Sequence, residues 1–414
     1  MSKCNSLTVH LALLPLTSKR GYNAQCPAIH RLNDDILLYL FDSYRLGEEY
    51  RWNRRFFWLK LFHVCQRWRH VFYKCAFHLG IQIKCSNGSP IVDALTHLPP
   101  LPLFVPYGFG TTEQDVLGIY RALRLHGRVY HIELVLWPSI LRQVVVLLDQ
   151  HFPILEHLSL SYPNFSNTKN SLPLTLPKNF LAPNLCKLIL PSISTPRRLR
   201  VFTSTKSLVR LVLNNIRASS YFRPRLIVAC VASLPNLRYL TIEFSVPIPG
   251  PRTERRLLGE QRTPVALPSL EMFWFKGVGA YLESLVSQIR APLLEHLSIT
   301  LFNQIAFALP HLSYLINITK AFKLPYASVH LGDKEVFVSV GPVLSAWSIY
   351  NFSLHVICKP LDWQIDCAAQ ICHELIPALP CVEKLSLSHD PFQEIPTEWQ
   401  NGAIDSATWH DLLR

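Results

Sequence analysis

The chain has 414 residues, of which 49% are hydrophobic and 17% charged, and it carries a formal charge of +13 with a pI near 9.3. That is too apolar for a disordered chain, and 31 prolines with 15 glycines are too few for a collagen-like or low-complexity one. The basic residues are spread along the chain without a long run, so nucleic acid is not expected as the partner, whereas a positive surface suits acidic partners.

Eleven cysteines at irregular spacing do not make a disulfide scaffold. Reduced thiols are expected, and with them a cytoplasmic or nuclear location. No stretch approaches the ~18 apolar residues of a membrane helix, so no membrane partner is expected. Leu11 to Leu16 is short, contains Pro15 and is followed by no small-residue cleavage site. Residues 1–28 therefore read as a flexible tail.

Residues 29–80 read as a small helical domain. Asn33 is placed to cap a helix whose first turn carries Asp34 and Asp35, charges that complement the positive end of the helix dipole. Ile36, Leu37, Leu40 and Phe41 recur at helical spacing, until a polar stretch with Gly47, Glu48 and Glu49 interrupts them. Trp52, Phe56, Leu59 and Phe62 or His63 predict a second helix that continues through Val64 to Val71. So many large apolar groups in so short a segment exceed what it can bury alone, which marks a partner surface or a face packed on the following domain.

The run Leu32-Asn33-Asp34-Asp35-Ile36-Leu37, then Leu40-Phe41, then Val64-Cys65-Gln66-Arg67-Trp68-Arg69 resembles an F-box. The usual pattern of that family is Leu-Pro-x-Glu-Ile-Leu, Ile-Phe and Val-Cys-Lys-x-Trp-Arg. Asn33 replaces its proline and Asp35 its glutamate, and both keep helix-start chemistry. The insert from Arg45 to Arg55 and the segment Leu79 to Pro90 resemble F-box-like proteins expanded in mushroom-forming (basidiomycete) fungi. The resemblance implies docking on a Skp-type adaptor of a cullin–RING ubiquitin ligase. It assigns that docking to Leu32, Ile36, Leu37, Leu40, Phe41, Val64, Cys65 and Trp68, some of them as core of the helical domain.

From residue 81 on, one unit recurs: a proline or polar residue, then Leu-x-x-Leu-x-Leu or a variant. Its copies are Val129–Leu134, Pro153–Leu160, Pro183–Leu190, Leu208–Leu213, Pro235–Ile242, Pro268–Phe275, Pro292–Ile299 and Pro380–Leu387. The first seven are about 23 to 33 residues apart, near the leucine-rich-repeat period of about 20 to 29. Alternate leucines put apolar groups on one side of a short strand, and stacked copies make a parallel sheet with helices and loops outside. The expected fold class is therefore α/β: a small helical F-box-like domain, then an irregular leucine-rich-repeat solenoid over 81–414. The residues between the leucines, Ser159, Ile189, Val212, Thr241, Trp274 and Ser298, are expected on the concave face, where they would meet a target protein.

Between the copies, Ile140–Asp149, Leu282–Ile289 and Ile365–Leu375 read as helices, and Pro247–Pro264 as a loop. Arg252, Arg255, Arg256 and Arg262 make that loop either a solvated insertion or a reader of phosphate or acidic motifs. Val329–Leu331, Val336–Val340 and Leu354–Ile357 read as strands of degenerate repeats, or as a place where the array bends.

No Gly-rich phosphate loop, nucleophile elbow or H-E-x-x-H is present, so the chain is not expected to be an enzyme or to carry a cofactor. Cys358, Cys367, Cys372, His373 and Cys381 lack the second pair of a zinc module, and the cysteines read as buried free thiols, with no metal expected. The leading expectation is a ligase adaptor that holds a target. The second is a repeat scaffold whose N-terminal helices only cap the array. A third, a nucleic-acid-binding solenoid, rests on charge alone.

Overall fold

The computed structural model describes residues 32–49, 61, 64–75, 83–85, 101–108, 113–162, 176–191, 202, 204–217, 220–247, 264–302, 308–332, 335–342, 350–358, 361–375 and 381–389. The tail 1–28, the positions Trp52 to Leu59, Phe62 and His63 of the expected second helix, and the four arginines of the 247–264 loop lie outside these residues. The chain divides into two compact units, the first ending at Ile83 and including Asp93–Pro102, the second formed by the rest.

In the first unit, helix α1 (Asp34–Glu49) is followed by α2 (Gln66–Lys74). Asn33 caps α1, its Oδ1 accepting the N–H of Asp35 at 2.6 Å and of Ile36 at 3.0 Å. The helix runs through Gly47, where the sequence reading placed an interruption. One glycine costs about 1 kcal/mol, and the good helix formers Leu46, Glu48 and Glu49 around it offset that. Nor is the second helical stretch continuous through Val64: Val64 sits in a turn, and Cys65 caps a new helix, its Sγ accepting the N–H of Trp68 at 3.4 Å. Leu37 and Phe41 face inward together with Val71 and Phe72. The Phe41 ring lies 4.9 Å from Phe72 and 5.0 Å, edge-on, from Trp68. Full burial of each of these side chains is worth about 1.5–3 kcal/mol, which makes this small cluster the main force joining the two helices. Arg67 adds an exposed ion pair with Asp34 at 2.7 Å, a minor contribution in water.

The second unit is mixed α/β. Its elements in chain order are β1 (Ile83–Lys84, which straddles the boundary), β2 (Leu103–Tyr107), α3 (Glu113–Arg124), β3 (Val129–Val135), α4 (Pro138–Val146), β4 (His157–Ser161), β5 (Lys187–Pro191) and β6 (Arg210–Ile216). There follow α5 (Pro224–Val231), β7 (Tyr239–Phe244), β8 (Val265–Ala266), β9 (Met272–Gly277), α6 (Gly279–Val286), β10 (Ile289–Arg290) and β11 (His296–Leu301). The last are α7 (Pro310–Ile318), β12 (Tyr326–Gly332), β13 (Glu335–Gly341), β14 (Phe352–Ile357), α8 (Leu361–Leu375) and β15 (Lys384–His389). Thirteen strands form one sheet in the order β1-β2-β3-β4-β5-β6-β7-β9-β11-β14-β13-β12-β15, while β8 and β10 pair separately. From β2 to β11 every neighbouring pair is parallel. Helices expected over 140–149, 282–289 and 365–375 are present as α4, α6 and α8, but α4 ends at Val146 and α6 at Val286, and Ile289 belongs to β10.

The repeated sequence produces a repeated geometry. In the copies from Val129–Leu134 to Pro292–Ile299 the Leu-x-Leu pair is buried, as Leu158 and Leu160, Leu188 and Leu190, and Leu297 and Ile299 are, whereas Leu385 of the last copy is exposed. The leucine three positions earlier (Leu155, Leu185, Leu208, Leu237, Leu270, Leu294) is buried beside them. The preceding proline has a local cause. Ala182–Leu185, Leu234–Leu237, Leu267–Leu270 and Ala291–Leu294 are turns closed by an N–H to C=O bond of 3.2–3.3 Å, with Pro183, Pro235, Pro268 and Pro292 second in each. Proline's fixed φ suits that position. The helices cover the leucine side: Tyr281 of α6 is fully buried, 5.9 Å from Phe275 of β9 and 4.8 Å from Phe244 of β7. A bulge in β6 between Leu213 and Ile216 places Asn215 at φ 52°, a conformation asparagine tolerates.

The three strands expected over 329–357 are present as β12, β13 and β14, but they are not parallel repeats. β12 pairs antiparallel with β13, and β13 antiparallel with β14. Only residues 333 and 334 separate β12 from β13, too few for a parallel crossover, so the chain must turn back on itself. β14 then joins β11 in parallel, and β15 joins β12 in parallel on the far side. Buried Gln364 fastens this region, donating from Nε2 to the carbonyls of Gly332 at 3.0 Å and Cys358 at 3.1 Å.

Candidate functional site

The sheet face turned away from the helices carries the residues between the leucines. Strand register places the six expected there in one transverse row, on six consecutive strands of the sheet. Ser159 pairs with Ile189, Ile189 with Val212, Val212 with Thr241, Thr241 with Trp274, and Trp274 with Ser298. Ser159, Ile189, Trp274 and Ser298 are half-buried, whereas Val212 and Thr241 are buried. The cause is local. Arg210 lies over the rings of Tyr239 and Trp274, 5.8 and 5.9 Å from their centroids, and this cluster roofs the centre of the row.

The row extends past what the repeats disclosed. Ser298 pairs with Ser353, Ser353 with Ser339, Ser339 with Ser328, and Ser328 with Ser386. Five adjacent strands thus align five hydroxyls; Ser353 donates to Ser298 at 3.0 Å, and Ser328 and Ser339 are 2.7 Å apart. Three of these serines sit on the β12–β14 meander, whose strands lack the repeat signature.

A second row, two residues earlier in each strand, shares this face because side chains alternate with period two. It runs Phe104, His131, His157, Lys187, Arg210, Tyr239, Met272 and His296. The sequence reading passed over it, although period two from the Leu-x-Leu residues locates it. His131 and His157 stack with centroids 4.9 Å apart and planes at 21°. Burial, then the neighbouring His157 and Lys187, lowers the imidazole of His131 to about 4. Burial and Lys187 lower His157 as well, against a smaller opposing effect of Glu156.

In the first unit the eight motif residues divide. Leu37, Phe41 and Cys65 are buried, Leu32 and Trp68 are half-buried, and Ile36, Leu40 and Val64 are 47, 42 and 38% exposed. Tyr39, 74% exposed, lies next to Leu40 in the chain. Ile36 and Leu40 stand one turn apart on α1, so their exposure makes a stripe.

Among the described residues no group of three or more His, Cys, Asp or Glu is placed to hold a metal. Cys358, Cys367 and Cys372 are buried, whereas Cys381, against the expectation, and His373 are exposed. The Sγ atoms of Cys358 and Cys367 are 3.7 Å apart. Burial and then Cys358 push the Cys367 thiol up to about 12, so it resists forming a thiolate. No helix among the described residues is long and apolar enough to cross a membrane. No protein-family model matches the chain, and no curated protein matches it either.

Proposed function

We propose that the chain is a non-catalytic adaptor of a Skp–cullin–F-box type ubiquitin ligase, working in the cytoplasm or nucleus. Its first unit would hold a Skp-type adaptor protein. Its second, a leucine-rich-repeat-like solenoid, would hold a target protein for ubiquitin-dependent degradation. The observation that carries the reading is the division of the motif residues. Leu37, Phe41 and Cys65 build the core of the helical unit, leaving Ile36 and Leu40 as an apolar stripe on α1 open to a partner, with Val64 exposed as well. A stripe of that kind on a small helical unit is the sort of surface that partners bury.

The test is affinity capture of the full chain from its native cells, with and without Ile36→Asp plus Leu40→Asp. The adaptor is expected with the unaltered chain and absent with the variant. Capture of target proteins without any adaptor by the unaltered chain would overturn the ligase reading and favour a repeat scaffold.

A further inference from the structure

We propose that the open face of the sheet docks an extended acidic peptide segment, whose carboxylates are received by Lys187 and Arg210 with His131 and His157 alongside. This specifies the target-holding half of the reading above and is independent of the adaptor half.

The placement is set by register. His131, His157, Lys187 and Arg210 are successive partners on β3, β4, β5 and β6. Neighbouring strands lie about 4.8 Å apart, so the row is about 14 Å long. Like charges directly opposed on adjacent strands destabilise a sheet, yet Lys187 and Arg210 are so opposed. Among the described residues no carboxylate pairs with either of them. The Arg210 Nε is buried without an acceptor there. The guanidinium is already held by the Tyr239 and Trp274 rings, so little side-chain freedom remains to be lost when a carboxylate arrives. An anion would relieve the Lys187–Arg210 repulsion and favour protonation of both imidazoles.

The surroundings select a peptide over a polyanion. Glu133 lies 3.9 Å from the His131 ring on one side of the row. On the other side are Glu156, which is hydrogen-bonded to Tyr130, and the Arg238–Glu271 pair at 2.6 Å. The positive strip is therefore narrow, with Glu133 and Glu156 beside its histidine end and a neutralised ion pair beyond Tyr239, so a continuous phosphate backbone running past it would meet repulsion or no charge. Arg210 takes one face of Tyr239 and of Trp274, so they do not offer the free stacking planes that single-stranded nucleic acid uses. An extended peptide presents same-side carboxylates about 7 Å apart, a spacing that brackets the Lys187–Arg210 pair.

The test is fluorescence anisotropy of the purified full chain with a labelled peptide of alternating Asp and Ser. The same peptide with Asn for Asp and a labelled oligouridylate are the comparisons. The Asp peptide is expected to bind and the Asn peptide to fail. Lys187→Glu is expected to weaken binding by about tenfold or more, and Lys187→Gln by less. Lys384→Glu makes the same charge change on β15, at the far edge of the sheet, and is expected to leave binding intact. Melting temperatures show whether each variant folds. Equal binding of the Asn peptide, an equal loss in Lys384→Glu, or binding of the RNA in preference to the Asp peptide would overturn the proposal. Capture of the adaptor is read separately, so failure here leaves that assignment standing.

Discussion

Glu283 of α6 caps the N-terminus of α7: its Oε1 accepts the N–H of Leu312 and its Oε2 that of His311, each at 2.9 Å. The position before α7 is Leu309, which has no side chain able to cap, so the cap is supplied across the repeat boundary. Glu283 is buried, with its carboxylate at the positive end of the α7 dipole.

Removing this carboxylate as Glu283→Ala strands two donors near the core, and a loss of about 2–3 kcal/mol is expected in chemical denaturation. Burial raises the Glu283 carboxyl above the ordinary range, although the two backbone bonds oppose it. The folded chain therefore binds this proton more tightly than the unfolded chain does. The stability it contributes is present at acid pH and lost as pH rises from about 4.3 through the raised value. The difference in melting temperature between the unaltered chain and Glu283→Gln should therefore change with pH in that direction, since every other titrating group is common to both.

A second tie between repeats involves the polar residues around the repeat prolines. Asn184 donates to the Pro153 carbonyl at 2.7 Å, Ser207 to Pro183 at 2.9 Å, Asn236 to Lys206 at 3.0 Å and Ser269 to Pro235 at 2.9 Å. Each bond joins one turn to the turn of the repeat before it. Asn236→Ala is expected to lower stability by about 1 kcal/mol. Asn236→Ser should lose less, because a hydroxyl makes the same bond at Ser207 and Ser269. Equilibrium urea unfolding of the three chains checks the order.

These ties mark where the sequence was legible and where it was not. The buried leucines were readable because their spacing is a period, and a period fixes both strand and face. The row from Ser159 to Ser298 followed from that alone. The charged row one step earlier obeys the same alternation, but its identities change from strand to strand, and a search for leucines passes over it. Glu283 was hidden because its donors lie 28 and 29 residues away, a contact no local pattern encodes. Over the β12–β14 meander the alternation marks strands without marking direction, so degenerate repeats and a bend in the array were both left open. Direction came from the two-residue link at 333–334. In the first unit, Cys65 is buried as its place beside Val64 and Trp68 suggested, but its sulfur also caps a helix start, which the apolar pattern does not encode.

The imidazole of His131 titrates near 4 rather than 6.5 because burial, His157 and Lys187 all disfavour its charge. Glu133, 3.9 Å away, is more than half exposed and too well solvated to reverse this. The unfolded chain takes up this proton first as the solution is acidified. The stability linked to His131 is thus complete above about pH 6.5 and lost between there and about pH 4. NMR titration of the ring protons should give a midpoint near 4, and Lys187→Gln should move it upward. A midpoint near 6.5 in the unaltered chain would contradict the stacked, half-buried geometry.

Adjacent residues on α1 should respond in opposite ways. Leu37 is fully buried against the Phe41 cluster, so Leu37→Ala leaves a cavity and is expected to destabilise the helical unit by about 2–5 kcal/mol. Ile36 is nearly half exposed, and Ile36→Ala should change stability by no more than about 0.5 kcal/mol. Binding should follow the reverse order per unit of stability lost. Ile36→Ala removes part of the open stripe without disturbing the fold, whereas Leu37→Ala weakens binding only as far as it unfolds the unit. Hydrogen exchange of the α1 amides, set beside adaptor capture for the same two variants, separates the two effects. Equal protection in both variants would mean that the inward and outward residues of α1 are not divided as their burial indicates.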